Sequence, residues 1–554
     1  MPAGKRLRRW TLIALAIGVL FLWAAMPPAP RRVDPSGWDD LAQRTVPGAF
    51  HVHTARSDGH GDRTRVAAAA ASAGLRFVIL TDHGDGTRPP DPPLYIDNIL
   101  VLDGVEISTD DGHYVAIDMP RAPYPLGGTG KAVVEDVRRL GGFGIAAHPD
   151  SPKAALRWTS NAPADGVEWL NLDSEWRDET RRELFRAGVG YLLRQAPALA
   201  MLLDRPATLD ARWPAMLAGR RTVALAASDA HGGVGRRQED PGRSLAGLVG
   251  VPSYEASFRT ISNRVVLPKP LSGDAAADAR AVYAAIRGGS VFSAVDALAG
   301  PPLLQFIVET GHQTAEMGAT VPEDSDATLV VRAPVVPDSE ISIVRNGRTV
   351  TSLRGSELRY VVTGGKGAYR AEIAVPGAPG LPPVPWVVSN PIFFGEPGAE
   401  AAQGSQAPSA PVTGTIAPFP WRIEKDSSSS AILRTGATDA TLEFRLGDGA
   451  RNSQFVALAT DLRPPLSAID LSLAGDRPMR VWVQVRAAGG ARWGRTYYVD
   501  PAGSALHVPL DALAPLAPAT GPVRDVESLM IVVDLTNAQP GRTGVLRVLA
   551  SALK

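Results

Sequence analysis

Side chains that can bind divalent cations recur between His51 and His231, most of them at the end of a short apolar run. His51 and His53 flank Val52, and the alternation of side chains along a strand predicts that both imidazoles lie on one face. Asp58 follows in the next loop. Comparable positions further along the chain are occupied by His83, Glu106, His113, His148, Asp229 and His231.

These residues would be expensive to bury side by side unless cations compensated for the loss of water around them. Any one histidine taken alone is more often a hydrogen-bonded structural residue, but the complete set predicts a metal centre. Bound cations lower the pKa of a shared water and polarise a substrate oxygen, so the expected chemistry is hydrolysis. The sequence has no cysteine, which excludes thiolate ligands, and zinc, manganese and iron(II) all suit nitrogen and oxygen ligands.

Other residues near these runs carry less specific signals. Arg56 and Lys153 are candidates to bind a phosphate, although most surface cations do no such thing. Glu168 is either a general base or a carboxylate that is hydrogen-bonded within the fold. Towards the C-terminus, four aromatic residues either form a platform that stacks on a glycan or pack in a core: Trp482, Trp493, Tyr497 and Tyr498.

The elements that would position the ligands are predicted from alternating apolar runs and helix-like segments between residues 46 and 299. Phe77–Leu80 and Val223–Ala226 are two of the runs, and residues 131–140 are one of the helices. Buried parallel strands have continuous apolar sequences, and strand–helix alternation predicts an α/β fold with a parallel sheet or barrel. Barrel enzymes assemble their sites at the C-terminal ends of the strands, where most of these ligands fall.

Three further regions are predicted after the barrel. Residues 301–395 contain short strands separated by Gly, Pro, Asn and Ser, which predicts a small β-sandwich. Residues 396–418 are rich in Ala, Gly, Pro and Ser and are predicted to be a linker. Residues 419–554 contain more alternating strands and predict a second, jelly-roll-like β-sandwich.

The pattern of residues 1–30 predicts that the rest of the protein lies outside the cytoplasm. An uncharged run from Trp10 to Met26 follows four basic residues: Lys5, Arg6, Arg8 and Arg9. This pattern is typical of an N-terminal transmembrane anchor whose basic end stays in the cytoplasm, and a cleaved signal peptide is the alternative. We therefore expect a membrane-anchored protein in the periplasm or at the cell surface, or a secreted one if the segment is cleaved.

Charge and composition argue against two classes of protein. The 554 residues include 57 basic and 57 acidic side chains, giving a formal net charge of +0. Without a long-range field of either sign, we expect no nucleic-acid partner. Hydrophobic residues make up 45% of the sequence, which is typical of folded globular domains and excludes a largely disordered chain.

Six short stretches together resemble the PHP superfamily, named after polymerase and histidinol phosphatase. They are HVHTARSDG (51–59), TDHG (81–84), GVEIST (104–109), GHYVA (112–116), AAHP (146–149) and ASDAH (227–231), and the match spans residues 46–240. The resemblance implies a distorted (β/α)7 TIM-like barrel with a trinuclear metal centre. Residues 369–394 are similar to a membrane-associated branch of that superfamily that includes carbaryl-hydrolase-like enzymes.

The resemblance also implies how the ligands divide among up to three divalent cations. The first cation would be held by His51, His53, Glu106 and Asp229. The second would share Glu106 and bind His113 and His148, and the third would bind Asp58, His83 and His231. Three of these residues are expected to act most directly in catalysis: Glu106, Asp229 and His231.

The expected activity is hydrolysis of a phosphoester, in a small molecule or an envelope-derived compound, by a metal-bound hydroxide outside the cytoplasm. Hydrolysis of an amide, carbamate or other ester is the alternative, because metal-bound hydroxide attacks carbon as readily as phosphorus. A rival from another class is a cell-envelope protein whose β-domains bind a glycan or a protein while the barrel is inert. An inert barrel should have lost ligands, whereas this sequence keeps the whole set.

Overall fold

The structure is a computed structural model that describes most of the chain. The described residues are 10–13, 16, 18, 20, 22, 23, 25–233, 251–311, 313–323, 326–363, 365–397, 420–436, 439–450, 453–462, 466–516 and 518–553. Most of the predicted linker and parts of the predicted N-terminal anchor lie outside these residues. Within them, no helix combines the length and the apolar character needed to cross a membrane.

The chain divides into two compact units. The first contains Met1–Gly84, Pro90–Met119 and Gly141–Ala401, and the second contains Asp85–Pro89, Pro120–Leu140 and Ala402–Lys554. Residues 46–299, predicted as a barrel, and residues 301–395, predicted as a small sandwich, therefore fall mainly in the same unit. Two short segments of the barrel region belong instead to the second unit.

The first unit is a mixed α/β structure built on a 16-stranded sheet. Part of this sheet curls, and its strands follow the order Ser262–Val266, Thr45–Val52, Phe77–Leu80, Ile99–Thr109, Gly112–Ile117, Phe143–Ala146, Gly166–Asn171 and Val223–Ala227. The chain after the last strand returns to the second, because the Ser228 N–H donates to Phe50 O and the His53 N–H donates to Ala230 O, each at 3.0 Å. The curl therefore brings the ends of distant strands together.

Apolar side chains from these strands form one core cluster with the helix Ala275–Gly288, because the strands have continuous apolar sequences. Ile79, Leu102, Ile145 and Leu225 are strand members of this cluster with side chains closed to solvent. The other helices of the unit are Asp39–Arg44, Arg63–Ser72, Leu172–Glu175, Arg181–Tyr191, Gln195–Ala200, the π-helical Thr208–Arg212, Trp213–Gly219 and Tyr254–Thr260. Its short additional strands are Arg31–Arg32, Leu94–Ile96, Val291–Ala294 and Ala299–Gly300.

The strand–helix alternation expected of a (β/α)7 barrel is interrupted at two places. Gly112–Ile117 runs antiparallel to Ile99–Thr109, since the two intervening residues, Asp110 and Asp111, allow only a tight hairpin. Ser262–Val266 also runs antiparallel to its neighbour in the sheet. The general class, a mixed α/β fold with a curled sheet, is confirmed.

Residues 301–395 extend the same sheet and add a second one. Val291–Ala294 pairs antiparallel with Val387–Ser389, and the extension also contains Thr320–Val321, Glu340–Arg345, Arg348–Arg354, Gly367–Ala374 and Ile392–Phe394. The second sheet has the order Gln313–Glu316, Gln305–Thr310, Ala327–Arg332 and Glu357–Val362. Phe306 and Leu329 from this sheet share a core cluster with Ile341 and Tyr369 from the extension, so the two sheets pack face to face.

The second unit contains two sheets, the helix Gly130–Arg139 and a 3₁₀ turn at Leu510–Ala512. The six-stranded sheet has the order Arg422–Lys425, Phe455–Asp461, Val526–Asp534, Met479–Ala487, Arg492–Val499 and Ala514–Leu516. The five-stranded sheet has the order Ser430–Thr435, Ala440–Arg445, Thr543–Leu553, Ala468–Gly475 and Ser504–Pro509. Leu442 and Leu471 of one sheet share a core cluster with Val483 and Ile531 of the other, as in a β-sandwich.

Candidate metal centre

The predicted metal ligands lie together in the first unit. A cavity of about 720 Å³ is lined by eight of them: His53, Asp58, His83, Glu106, His113, His148, Asp229 and His231. The ninth, His51, is fully buried and contacts Glu106 and Asp229. Side chains from distant parts of the sequence therefore share one pocket, although their individual roles as ligands stay predictions.

Three of these residues have backbone conformations that L-residues rarely adopt. The φ angles of His51, His148 and Asp229 are 62°, 49° and 42°. At His51 the register against the next strand shifts between Ala49 and Val52, so a bulge, and not regular alternation, turns the His51 ring towards His53. Such conformations cost about 1–3 kcal/mol each and concentrate at functional sites.

Four ligand atoms form a compact group at the centre of the cluster. Nε2 of His51 and Nε2 of His53 lie 3.1 Å apart, and they are 3.3 Å and 3.2 Å from Oε2 of Glu106. Oδ1 of Asp229 is 3.6 Å from Nε2 of His51 and 3.3 Å from Nε2 of His53. Ligands bound about 2.0 Å from a tetrahedral metal are roughly 3.3 Å apart, so His51, His53 and Asp229 are spaced to hold one cation. Glu106 also forms groups of possible ligands with His51 and His148 and with His53 and His83.

The two carboxylate oxygens in this group supply an independent test. Oε2 of Glu106 and Oδ1 of Asp229 are buried and accept no hydrogen bond from the described part of the chain. A buried carboxylate oxygen without a donor is costly, and native structures rarely leave one unpaired. A cation between the two imidazoles would supply the missing interaction for both oxygens, so the residues present fit a metal.

The second oxygen of Glu106 faces a different pair of histidines. Oε1 of Glu106 is 2.6 Å from Nδ1 of His113 and 2.8 Å from Nε2 of His148. Glu106 therefore has one oxygen towards each of two ligand groups, which is the bridging arrangement that the PHP resemblance implies.

A third group is centred on Asp58. Its Oδ1 lies 3.5 Å from Nε2 of His231 and 3.4 Å from Nδ1 of His53, and its Oδ2 lies 3.5 Å from Nε2 of His83. Nδ1 of His83 is also 3.2 Å from Oε2 of Glu106. The predicted trio of Asp58, His83 and His231 is thus brought together, but it shares His53 and Glu106 with the central group.

Glu168 and Asn171 hold the ligands from behind. Oε1 of Glu168 is 2.5 Å from Nδ1 of His51, and its Oε2 accepts from the His148 N–H at 2.9 Å. Asn171 donates through Nδ2 to Oε2 of Glu168 at 2.8 Å and to Oδ2 of Asp229 at 3.3 Å. Of the two interpretations for Glu168, the geometry matches a hydrogen-bonded carboxylate within the fold. The contribution of Asn171 was missed, and its only signal was its place at the end of the strand Gly166–Asn171.

In the cluster, the carboxylates favour the protonated histidines and the histidines favour the ionised carboxylates. Burial disfavours a protonated His53, but the carboxylates of Asp229 and Glu106 beside its ring outweigh it and raise the pKa of His53 to about 10. Burial likewise disfavours the ionised form of Glu106, but His51, His113 and His148 hold the pKa of that carboxyl well below its usual range. The same negative charge that favours protonated histidines here would favour a divalent cation, and metal uptake would have to displace the histidine protons.

The two predicted phosphate-binding cations have different environments. Lys153 lines the cavity and forms no ion pair with any residue that the structure describes. Arg56 does not line the cavity, because its guanidinium is held by Asp103 at 3.0 Å and Asp91 at 2.5 Å. Both substrate contacts stay predictions, with Lys153 in the cavity lining and Arg56 paired with two aspartates.

The aromatic residues considered for glycan binding lie in the second unit. Trp493 and Tyr497 are 4% and 6% exposed and belong to the core cluster of the sandwich. The guanidinium of Arg139 lies 3.6 Å from the ring centroid of Tyr498, and Trp482 is half-buried against a smaller apolar cluster. Trp493 and Tyr497 therefore offer no ring face for a glycan, because both rings are packed in the core.

Known proteins provide only weak likenesses. No protein-family profile matches the sequence, and no curated protein matches it. A two-domain protein from Bacteroides vulgatus containing a predicted PHP-like metal-dependent phosphoesterase is similar at 14% identity, with a TM-score of 0.27, over 63% of this chain and 93% of that chain. The family 11 carbohydrate-binding module from Clostridium thermocellum, in complex with a β-1,3-1,4-mixed-linked tetrasaccharide, is similar at 8% identity, with a TM-score of 0.20, over 25% of this chain and 89% of that chain.

Proposed function

We propose that this protein is a metal-dependent hydrolase that cleaves a phosphoester bond in the cavity above the ligand cluster. The observation that carries this proposal is the central group of Nε2 of His51, Nε2 of His53, Oε2 of Glu106 and Oδ1 of Asp229. Its histidine nitrogens lie 3.1–3.6 Å from one another and from the two carboxylate oxygens, and both oxygens are buried without a hydrogen bond from the described residues.

The residues divide the work between holding cations and handling substrate. Zinc, manganese or iron(II) bound here would supply Lewis acidity and a water activated near neutral pH. Glu106 bridges two ligand groups, and Glu168 accepts from Nδ1 of His51, which leaves Nε2 of His51 free to bind metal. Glu106, Asp229 and His231 line the cavity, so we assign them most directly to catalysis. Lys153 would bind the phosphoryl group by its charge.

An amide, carbamate or other ester is the alternative substrate for the same centre. Lys153 favours the phosphoester, because a cation that lines the same cavity complements a charged phosphoryl group and has no comparable partner on a neutral amide. The rival proposal of an envelope-binding protein with an inert barrel is less favoured, since selection for binding alone would not keep costly buried ligands in strained conformations.

We also propose that the reaction takes place outside the cytoplasm, with the chain tethered at its N-terminus. The support is the sequence alone: basic residues at 5, 6, 8 and 9 precede the uncharged run from Trp10 to Met26. Membership of the carbaryl-hydrolase-like branch stays a prediction from residues 369–394.

The experiment that tests the enzymatic proposal measures metal and turnover on the same purified protein. Metal content is determined by elemental analysis, and hydrolysis of p-nitrophenyl phosphate and bis(p-nitrophenyl) phosphate is followed before chelation, after chelation and after metal is restored. We expect bound transition metal and a turnover that chelation removes and metal restores. A protein that takes up no transition metal, or that hydrolyses these esters equally well after chelation, would contradict the proposal.

A further inference from the structure

Part of the cavity lining, which we call the wall, consists of residues that no sequence motif marks. Beyond the ligand cluster, the lining includes Leu172, Trp176, Arg177, Leu199 and Leu202. Leu172 and Leu202 are each only 6% exposed, whereas Trp176, Arg177 and Leu199 are half-buried. An apolar wall beside a strongly charged cluster is the arrangement of a binding site with two chemically different halves.

Asp173 fixes the tryptophan and the arginine of this wall. Its Oδ1 accepts from Nε1 of Trp176 at 2.9 Å, and its Oδ2 accepts from Nε and Nη2 of Arg177 at 2.8 Å and 2.5 Å. The guanidinium carbon of Arg177 lies 4.5 Å from the ring centroid of Trp176, in stacking distance. We name Asp173, Trp176 and Arg177 the indole–guanidinium platform. Because these contacts already hold the indole ring and the guanidinium group in place, ligand binding would lose little free energy in ordering them.

The platform is joined to the metal cluster through Asn171. Oδ1 of Asn171 accepts from the Ser174 N–H at 3.0 Å and so caps the short helix Leu172–Glu175 that carries Asp173. Nδ2 of the same amide donates to Glu168 and Asp229 in the cluster. A single side chain therefore sets the position of the platform relative to the reacting end of the cavity.

The charges of the wall indicate what kind of group it takes. Arg177 forms an ion pair with Asp173, whose side chain is only 15% exposed. The pair is therefore close to neutral and attracts a second anion only weakly. Lys153 is the cavity-lining cation without an ion pair among the described residues. One anionic group is thus provided for near the cluster, and the wall suits a neutral, planar, apolar group that can pack on stacked planes and leucine side chains.

We infer that the indole–guanidinium platform, with Leu172, Leu199 and Leu202, is the subsite for a neutral aromatic group esterified to the phosphoryl group. The substrate class is therefore an aryl phosphoester, and a substrate with a second phosphate is disfavoured because Arg177 is already paired with Asp173. This inference rests on the proposed function for the identity of the phosphoryl group, but the binding of the aromatic group is separable from turnover.

The test measures binding without requiring hydrolysis. Phenylphosphonate and methylphosphonate, which lack a cleavable ester, are titrated by calorimetry into the metal-loaded full chain. We expect phenylphosphonate to bind roughly tenfold more tightly, as aromatic packing against an ordered ring predicts. Trp176→Ala should reduce that ratio to below about threefold while leaving methylphosphonate affinity unchanged. The matched control is Leu192→Ala, which removes an apolar side chain that is 83% exposed and outside the cavity lining, and it should change neither ligand.

Asp173→Asn provides a second variant with a distinct expected result. Without the carboxylate charge, Arg177 is no longer neutralised, so 4-carboxyphenylphosphonate should gain several-fold in affinity relative to phenylphosphonate. Equal binding of phenyl- and methylphosphonate by the wild-type chain, or an unchanged ratio in Trp176→Ala, would overturn the aromatic subsite. Absence of hydrolysis with the subsite intact would instead overturn the proposed function, so the two failures are distinguishable.

Discussion

Nδ1 of His51 lies 2.5 Å from Oε1 of Glu168, and both side chains are closed to solvent. The ring can present only its Nε2 to the centre of the cluster when Nδ1 is used in this way. Nε2 of His51 is the atom that lies 3.1 Å from Nε2 of His53. Glu168 thus sets both the tautomer and the orientation of a predicted ligand without facing the central group itself.

Glu168→Gln should weaken metal binding while leaving the fold in place. The amide keeps the shape but loses the charge that stabilises the His51 N–H, and such outer partners are worth roughly 10- to 100-fold in metal affinity. The measurement is competition with a chelator of known affinity, followed by circular dichroism to check folding. Glu255→Gln is the matched control, because Glu255 is an exposed carboxylate whose partner among the described residues is Arg259 on its own helix. Equal metal affinity for Glu168→Gln and wild type would refute this role for Glu168.

Asp229→Asn should remove activity with little change in structure. The φ angle of Asp229 is 42°, a conformation that asparagine tolerates better than most residues, so the substitution tests the charge and not the backbone. Loss of the anionic Oδ1 from the central group should lower turnover by at least roughly a thousandfold, about 4 kcal/mol on the barrier. Asp229→Ala is expected to be equally inactive but less stable. Turnover of p-nitrophenyl phosphate is the readout, and wild-type rates in Asp229→Asn would show that the central group is wrongly assigned.

The group of side chains that could hold metal could be predicted from the sequence because its signal is local. Polar residues at the ends of apolar runs are visible without knowledge of the fold, and the sheet then brings those ends together. The positive φ of His51 has no such signal, since histidine at a bulge looks the same in sequence as histidine in a regular strand. Asn171 was missed because it acts on His148 and Asp229, which are 23 and 58 positions away.

The remaining misses have similar physical causes. Asp173 contacts Trp176 and Arg177 at spacings of three and four residues, which a helical pattern would have placed on one face. The helix Gly130–Arg139 was predicted, but its place in the second unit was not. An amphipathic helix has the same apolar stripe in its sequence whichever core it packs against. The two partners of the Arg56 guanidinium, Asp91 and Asp103, could not be predicted because they lie 35 and 47 positions away.

The metal-free protein should lose stability as the pH rises from about 6.5 to 10. The pKa of His53 is raised to about 10, whereas in the unfolded chain it is about 6.5. The protonated form therefore contributes stability that is complete below about pH 6.5 and is lost as the pH passes the folded value. Thermal unfolding in chelator across this range gives the slope. The decrease of unfolding temperature with pH should become shallower in His53→Gln. It should be unchanged in His507→Gln, which removes a histidine of the second unit that is 53% exposed.

Added metal should reverse this dependence on pH. A cation binds the neutral imidazole, so metal uptake must displace protons from the histidines and becomes stronger as the pH rises. In the presence of zinc or manganese, the unfolding temperature should therefore hold or increase between pH 6.5 and 8.5. A metal-free protein whose stability increases with pH in this range would show that the histidines do not hold protons in place of cations.

Arg480→Ala should destabilise the second unit strongly. Nε and Nη2 of Arg480 donate to the two oxygens of Asp136 at 3.1 Å and 3.0 Å, and each side chain is 1% exposed. Asp136 lies on the helix Gly130–Arg139. In the sequence this helix comes after the strand that carries His113 and before the strand that ends just ahead of His148. Removal of the arginine leaves a buried carboxylate without its main counter-charge, which costs about 3–5 kcal/mol.

The matched control for this last prediction is Arg434→Ala. Arg434 also donates to a carboxylate within the sandwich, Glu443 at 2.8 Å, but it is 68% exposed, so water and salt screen the pair and no measurable change is expected. Calorimetric unfolding of the full chain compares the two variants, and hydrogen exchange of residues 120–140 reports on the helix directly. If Arg480→Ala unfolded at the wild-type temperature with the helix still protected, then apolar packing alone would hold this segment, and the ion pair would be a consequence of the fold and not one of its supports.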